Sequence, residues 1–213
     1  AGVKDLIFLG SSCIYPKFSP QPIKEEYLLS GILEETNEPY AVAKIAGIKL
    51  CESYNSQYKT NYKCLMPSNC YGPNDNYDYK SSHFFASIFR KVYEAKLKKQ
   101  EKLILWGNGK TKREIIFSDD LADACIYFLK KKTKHSLINI GTGKDMSIRE
   151  LSEIVADIVQ FDGEIIFDTS KPDGTPKKLL DVSRINQLGW KHKIDLYNGI
   201  KMTYDWYSEN FPT

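Results

Sequence analysis

The stretch "DLIFLGSSCIYPK", residues 5–17, decides how this chain is read. Leu6, Ile7, Phe8 and Leu9 form a short apolar run that stops at Gly10. Such a run predicts a fully buried strand of the kind found in parallel sheets. The strand ends in Ser11, Ser12 and Cys13, two hydroxyls and a thiol side by side. A polar, proline-rich loop follows from Pro16 to Pro39, long for a plain connection, and loops of that length are often functional. Beyond it, "YAVAKIAGIKLCESYNSQY" (residues 40–58) runs at helical period without a breaker, with Thr36 and Asn37 as capping candidates.

The same alternation continues to the end of the chain. "NYKCLMPSN" (61–69) predicts a strand closed by "YGP", and residues 80–99 predict an amphipathic helix. "KLILWGNG" and "REIIFS" read as strands. "DDLADACIYFLKK" reads as a helix with acids at its start and lysines at its end, as its dipole favours. "SLINIG" is a further buried strand, and "SIRELSEIVADIVQ" opens with a capping box from Ser147 to Glu150. "EIIFD", a short helix over "SRINQLGW" and a closing helix from Asp195 to Asn210 complete the pass. Strands alternating with helices predict an α/β fold built on a parallel sheet.

Composition narrows the function classes. The chain has 213 residues, 42% hydrophobic and 27% charged, which suits a globular core. A formal net charge of +3 makes no case for a nucleic-acid partner, and lysine runs such as 130–132 read as solvated helix ends. No apolar run approaches the ~20 residues of a membrane span, and no leader pattern is expected. Cys13, Cys51, Cys64, Cys70 and Cys125 are odd in number and lack CxxC spacing, so they read as reduced thiols of a cytoplasmic protein. His83, His135 and His192 are too dispersed to suggest a metal cluster.

Tyr40 and Lys44 are four apart on one helix and share a face. An ammonium beside a phenol favours the phenolate, so the pair can exchange a proton near neutral pH. YxxxK alone is a very short pattern, and two amphipathic side chains on a helix satisfy it equally well. The order around it is what carries weight: a strand ending in Ser11, a proline-rich loop, "PYAVAK", then a strand ending "PSNCYGP". That order resembles the extended short-chain dehydrogenases/reductases. "GSSCIYPK", "NEPYAVAKIAGIKLCESYN", "SSHF", "WGNG", "REIIFSDDLADA" and "DTSKPDGTPKKLLDVSR" resemble one branch of that superfamily. Its members use NADPH to epimerise C3 and C5 and reduce C4 of GDP-4-keto-6-deoxymannose, forming GDP-L-fucose.

The resemblance implies roles for particular residues. Ser11, Tyr40 and Lys44 match the serine, tyrosine and lysine of the reduction step. Cys13 and His83 match the acid–base pair that inverts C3 and C5. A ketone at C4 acidifies both neighbouring carbons, and a thiol and an imidazole are suited to remove and return those protons. Which of the two is the base is open at this point. Leu9, Gly10, Ser11, Ser12, Lys44, Pro67, Ser68, Asn69, Cys70 and His83 match the segments that contact NADP(H). Lys91, Trp106, Arg113 and Asp173, with Lys178 close by, match the nucleotide-sugar ligands. Lys91 stands where relatives usually have arginine, and a point charge without the guanidinium fork predicts a diphosphate grip that is weaker or shared with Arg90.

The implied fold is the C-terminal part of a doubly wound, Rossmann-type parallel sheet plus a smaller α/β substrate lobe. Residues 1–72 and 115–142 would belong to the NADP-binding domain, and 73–114 and 143–213 to the lobe. No GxGxxG occurs: "GNGK" (107–110) and "GTGK" (141–144) lack the third glycine, and Ile104 rules out a P-loop. The glycine-rich first half that grips the cofactor pyrophosphate is therefore expected to be missing. This chain alone is expected to bind NADPH poorly and to turn over negligibly. The intact enzyme is expected to be a homodimer through the 40–58 helix. Two other readings compete: a different nucleotide-sugar epimerase or dehydratase, and a non-catalytic nucleotide-sugar-binding module.

Overall fold

The computed structural model describes residues 2–171 and 173–211. In chain order the elements begin with β1 (Asp5–Leu9), α1 (Glu38–Tyr58), β2 (Asn61–Pro67), β3 (Asn69–Tyr71) and α2 (Phe84–Leu97). Next come β4 (Lys102–Trp106), β5 (Lys112–Arg113), β6 (Ile115–Phe117), α3 (Ser118–Lys130) and β7 (Leu137–Ile140). Then follow β8 (Met146–Ser147), α4 (Ile148–Val159), β9 (Glu164–Asp168), β10 (Lys177–Lys178), α5 (Ser183–Gln187) and α6 (Leu196–Asn210). The described residues divide into two compact units. One takes in 1–70, 114–144 and 178–193; the other 71–113, 145–177 and 194–213.

The first unit is a parallel sheet in the order β1-β2-β7, with Leu9 opposite Leu65 and Pro67 opposite Ile140. β2 is its centre, and its side chains alternate between two cores as a pleated strand requires. Cys64 and Met66 face a core with Ile45, Ile48 and Cys51 of α1, joined by Ile14, Tyr15 and Leu180. Leu65 faces the other way, onto Ala124 and Phe128 of α3, with Ile138, Ile140, Ile185 and Trp190. Helices on both faces of parallel strands make this a mixed α/β, Rossmann-type layer. Parallel strands also bring all their carboxyl ends, at Leu9, Pro67 and Ile140, to one edge, where such folds bind ligands.

α1 lies unusually close to β1. A Cβ on Gly47 would fall 2.3 Å from the Phe8 ring, so only glycine permits this separation. Asn37 occupies the N-cap position of α1 without a side-chain cap, and a proline in the first turn fixes the entry instead. The 16–39 loop is a built structure. It holds short 3-10 turns at Glu25–Tyr27 and Glu35–Asn37, and Ile23 N–H donates to the Leu179 carbonyl at 2.8 Å.

The second unit pairs β4 with β9 in parallel and β5 with β8 antiparallel. α2 packs on α4, and α4 on α6. Its core is aromatic: Tyr77 and Phe89 lie edge-on to Tyr207, and Tyr93 does the same. α2 begins at Phe84, later than the periodicity from residue 80 suggests. Asp78 Oδ1 accepts the Lys80 and Ser81 N–H groups at 2.9 Å, a local turn that outcompetes the first helical turn. The Ser147 capping box of α4 forms as expected: Ser147 Oγ accepts the Glu150 N–H at 3.1 Å, and Glu150 accepts the Ser147 N–H at 2.7 Å.

Candidate active site

The carboxyl end of β1 turns into a 3-10 helix at Ser12–Ile14. Ser11 is extended, and its Oγ accepts the Cys13 N–H at 3.1 Å, which caps the turn. Ser12, Ile14 and Tyr15 are buried, so the turn is rooted in the core and leaves Ser11 and Cys13 partly accessible. Tyr15 O–H donates to Asn139 Oδ1 at 2.6 Å, which fixes the stem of the loop to β7. Burial pushes the Tyr15 phenol well above its ordinary range, so it stays a neutral structural donor.

Tyr40 sits in the first turn of α1 and is 48% exposed. Lys44 Nζ lies 5.6 Å from its ring centroid and 5.4 Å from that of Phe8. The same ammonium donates to the Leu9 carbonyl at 2.8 Å. The close approach at Gly47 makes this reach possible, and it brings the Tyr40–Lys44 pair to the strand end that carries Ser11. Lys178 Nζ donates to Cys13 Sγ at 3.2 Å, a contact no spacing in the sequence announces.

Ser68, at the carboxyl end of β2, is 7% exposed, and its hydroxyl finds no hydrogen-bond partner among the described residues. A buried orphan hydroxyl at the ligand-binding edge of a parallel sheet fits a contact with a bound cofactor. Pro67 closes the β2 ladder opposite Ile140. Asn69 is committed internally, its N–H and Nδ2 both donating to the Glu114 carbonyl at 3.3 and 2.9 Å. Cys70 is exposed. At Gly10, an added Cβ would meet Met66 Sδ at 2.4 Å.

In the second unit, His83 holds the N-cap position of α2 and makes no side-chain cap. Trp106 is 67% exposed, so it is not a core-packing residue. Lys91 Nζ and Lys171 Nζ lie over its ring at 5.7 and 5.8 Å. Burial, then the neighbouring Arg90 charge, lower the pKa of Lys91. Arg113 Nη1 donates to the Thr175 carbonyl at 2.6 Å, and Asp173 Oδ1 accepts the Asn108 N–H at 3.0 Å. The expectation that Arg90 shares a phosphate with Lys91 fails. Arg90 is 3% exposed, donates to the Tyr77 carbonyl at 2.6 Å, pairs with Glu94 at 3.5 Å and lies 4.0 Å from the Tyr79 ring.

The two glycine turns are not phosphate loops, and the geometry says why. Thr142 and Gly143 N–H groups donate at 2.6 and 2.7 Å to Glu114, a buried carboxylate of the chain itself. Glycine at 141 lets the carboxylate come close, since an added Cβ would meet Glu114 Oε1 at 2.2 Å. In "GNGK" the Asn108 N–H is likewise taken by Asp173. Sequence reading missed Glu114 and Lys171. The only trace of Glu114 was an acid placed directly before an apolar strand.

A model of the NAD dependent epimerase/dehydratase family matches residues 1–141. The chain belongs to that family. Among curated relatives, GDP-L-fucose synthase of Escherichia coli (strain K12) is 50% identical over 217 residues, covering 98% of this chain and 68% of its own length. GDP-L-fucose synthase 1 of Arabidopsis thaliana is 50% identical over 209 residues, covering 98% and 65%. The chain thus spans about two thirds of the length of such family members. Solved structures agree on the fold. A GDP-6-OMe-4-keto-L-xylo-heptose reductase from C. jejuni matches with TM-score 0.91 at 41% identity, covering 98% of this chain and 71% of that one. A GDP-L-fucose synthetase from Naegleria fowleri, bound to NADP, matches with TM-score 0.91 at 28% identity, covering 98% and 67%.

Proposed function

We propose that this chain carries the catalytic residues and the nucleotide-sugar lobe of an NADPH-dependent 3,5-epimerase and 4-reductase. Its substrate is GDP-4-keto-6-deoxymannose and its product GDP-L-fucose. One observation carries the reading: Ser11, Cys13 and the Tyr40–Lys44 pair gather at the carboxyl end of β1. The identity to relatives named GDP-L-fucose synthase supports it.

The chemistry follows from the residue types. Cys13 and His83 remove and return the protons at C3 and C5, each inversion passing through an enolate delocalised onto the C4 oxygen. NADPH, when bound, supplies hydride to C4. Tyr40 gives the C4 oxygen its proton, Ser11 hydrogen-bonds that oxygen, and Lys44 stands beside the phenol, 5.6 Å from its ring centroid. The cofactor side falls to the first unit: Leu9, Gly10, Ser12, Lys44 and the 67–70 segment, with the orphan Ser68 hydroxyl as the best-fitting donor. Trp106, Lys91, Arg113 and Asp173 take the nucleotide, with Arg113 as the phosphate fork. The complete enzyme works as a homodimer in the cytoplasm. Val42, Leu50, Tyr54 and Tyr58, apolar or aromatic and exposed along α1, support the pairing.

The similarity to the C. jejuni heptose reductase favours a second reading, reduction of a GDP-4-keto sugar without epimerisation. One experiment separates the two. The complete gene product is incubated with GDP-4-keto-6-deoxymannose in D2O, with and without NADPH. Deuterium at C3 and C5, followed by NADPH oxidation and GDP-L-fucose, supports the first reading. Oxidation without deuterium selects the second. Neither oxidation nor exchange overturns both.

A further inference from the structure

Lys178 makes a contact that the resemblance does not imply. Its Nζ donates to Cys13 Sγ at 3.2 Å, and the four residues from 178 to 181 are held so that it cannot drift away. The Lys178 carbonyl accepts the Glu114 N–H at 3.3 Å. The Leu179 N–H donates to Gln21 Oε1 at 2.8 Å, and its carbonyl accepts the Ile23 N–H at 2.8 Å. The Leu180 N–H donates to Glu114 Oε2 at 2.8 Å, and the Asp181 N–H to the Ile23 carbonyl at 2.8 Å. Leu180 itself is buried in the core beneath Cys13's turn, with Ile14 and Tyr15.

Glu114 is the centre of this arrangement. It is fully buried, and its two oxygens accept from Thr142, Gly143 and Leu180. One carboxylate therefore ties the turn after β7 to the segment that bears Lys178. The acids of these elements make contacts of their own, and Asp145 pairs with the adjacent Lys177 at 3.4 Å. Glu25 accepts the Asn139 N–H at 3.0 Å and faces Arg184 at 3.6 Å, and Glu114 is satisfied by backbone N–H groups. Lys17, a cation of the 16–39 loop, pairs with Glu34 at 3.2 Å.

We propose that Lys178 is a positioning residue that holds the Cys13 sulfur as a thiolate, and that buried Glu114 fixes Lys178 in place. A thiolate is the form that abstracts a proton, and an adjacent cation favours it over the thiol. This rests on the reading that Cys13 serves the epimerisation.

The test needs no sugar nucleotide. Alkylation of the purified chain by iodoacetamide is followed at Cys13 and Cys70 by peptide mass spectrometry from about pH 6 to about pH 9. Lys178→Met is expected to slow Cys13 alkylation about tenfold near pH 7 and move its pH profile upward, leaving Cys70 unchanged. Lys178→Arg retains most of the rate, and Glu114→Gln shifts the Cys13 profile in the same direction. Lys178→Gln, which keeps a donor without the charge, serves if the methionine variant loses its circular dichroism signal. A Cys13 profile that does not move in Lys178→Met or Lys178→Gln overturns the inference. A moved profile in a protein that fails the deuterium-exchange test leaves the cation–thiolate pair standing and removes the reaction assigned to it.

Discussion

At the scale of single residues, the proposed chemistry draws on the turn from Ser11 to Cys13. Ser11 and Cys13 are two apart, yet the proposed reaction asks different things of them. Cys13→Ser is expected to abolish deuterium exchange at C3 and C5 while sparing hydride transfer to an already epimerised ketone; loss of both together would make the thiol structural. Lys63 presents the opposite case, a charged group with no chemistry assigned to it. It is 1% exposed on β2, and its amine has no hydrogen-bond partner among the described residues. Burial lowers its pKa, and the Asp5 carboxylate offsets this only in part. Below that lowered value the native state carries the full cost of a buried charge. Native stability recovers as pH climbs toward the unfolded value of ~10.4. Lys63→Met should therefore stabilise the fold at neutral pH by roughly 1–2 kcal/mol, with the gain shrinking toward pH ~10. Urea unfolding at two pH values reads this, and a gain that does not change with pH would refute it.

At the scale of elements, the contact between α1 and β1 sets the site. Alanine in place of Gly47 gains about 1 kcal/mol of helix propensity. Against that stands a Cβ placed within 3.0 Å of three Phe8 ring atoms, and overpacking of this kind costs typically about 1–3 kcal/mol. The steric effect wins: Gly47→Ala should lower the unfolding midpoint, and Phe8→Leu in the same chain should restore it. A simple rise in stability would show that the helix can step back freely. This contact marks the limit of sequence reading. The strands at "DLIFL" and "NYKCLMP" and the capped helix after Ser147 were legible because apolar period and capping chemistry are local, but the full burial expected of β1 fails: it lies at the edge of the described sheet, with Leu6, Ile7 and Phe8 half-buried and Leu9 exposed. The start of α2 was not, since Asp78 organises its own turn. The role of Gly47 was not either, because it depends on which strand the helix meets. Tyr40, Lys44, Ser11 and Cys13 were legible through motif order. Glu114 and the Lys178–Cys13 contact were invisible, because residues 64 and 165 positions apart meet only through the topology.

At the scale of the whole molecule, the chain weaves between its two units, so neither is one continuous stretch. Residues 178–193 return to the first unit and add Leu180, Ile185 and Trp190 to its two cores, with Trp190 Nε1 donating to Asp123 at 2.8 Å. A chain ended after residue 144 keeps every strand of the β1-β2-β7 sheet but loses that cover. It should retain far-ultraviolet circular dichroism, lose cooperative unfolding and bind a hydrophobic dye. Sharp two-state melting of that fragment would show the returning segment to be dispensable.

The water-facing indole at position 106 also makes the molecule its own indicator. Trp190 is enclosed and Trp206 is half-buried against Tyr77 and Phe211, whereas Trp106 is exposed and has two ammonium groups near its ring that draw anions toward it. Iodide should dim its red-shifted emission far more readily than uncharged acrylamide of equal concentration. A bound diphosphate would compete for the same lysines and shield the ring. Occupancy of the second unit can thus be followed by light alone, with no label attached and no turnover required.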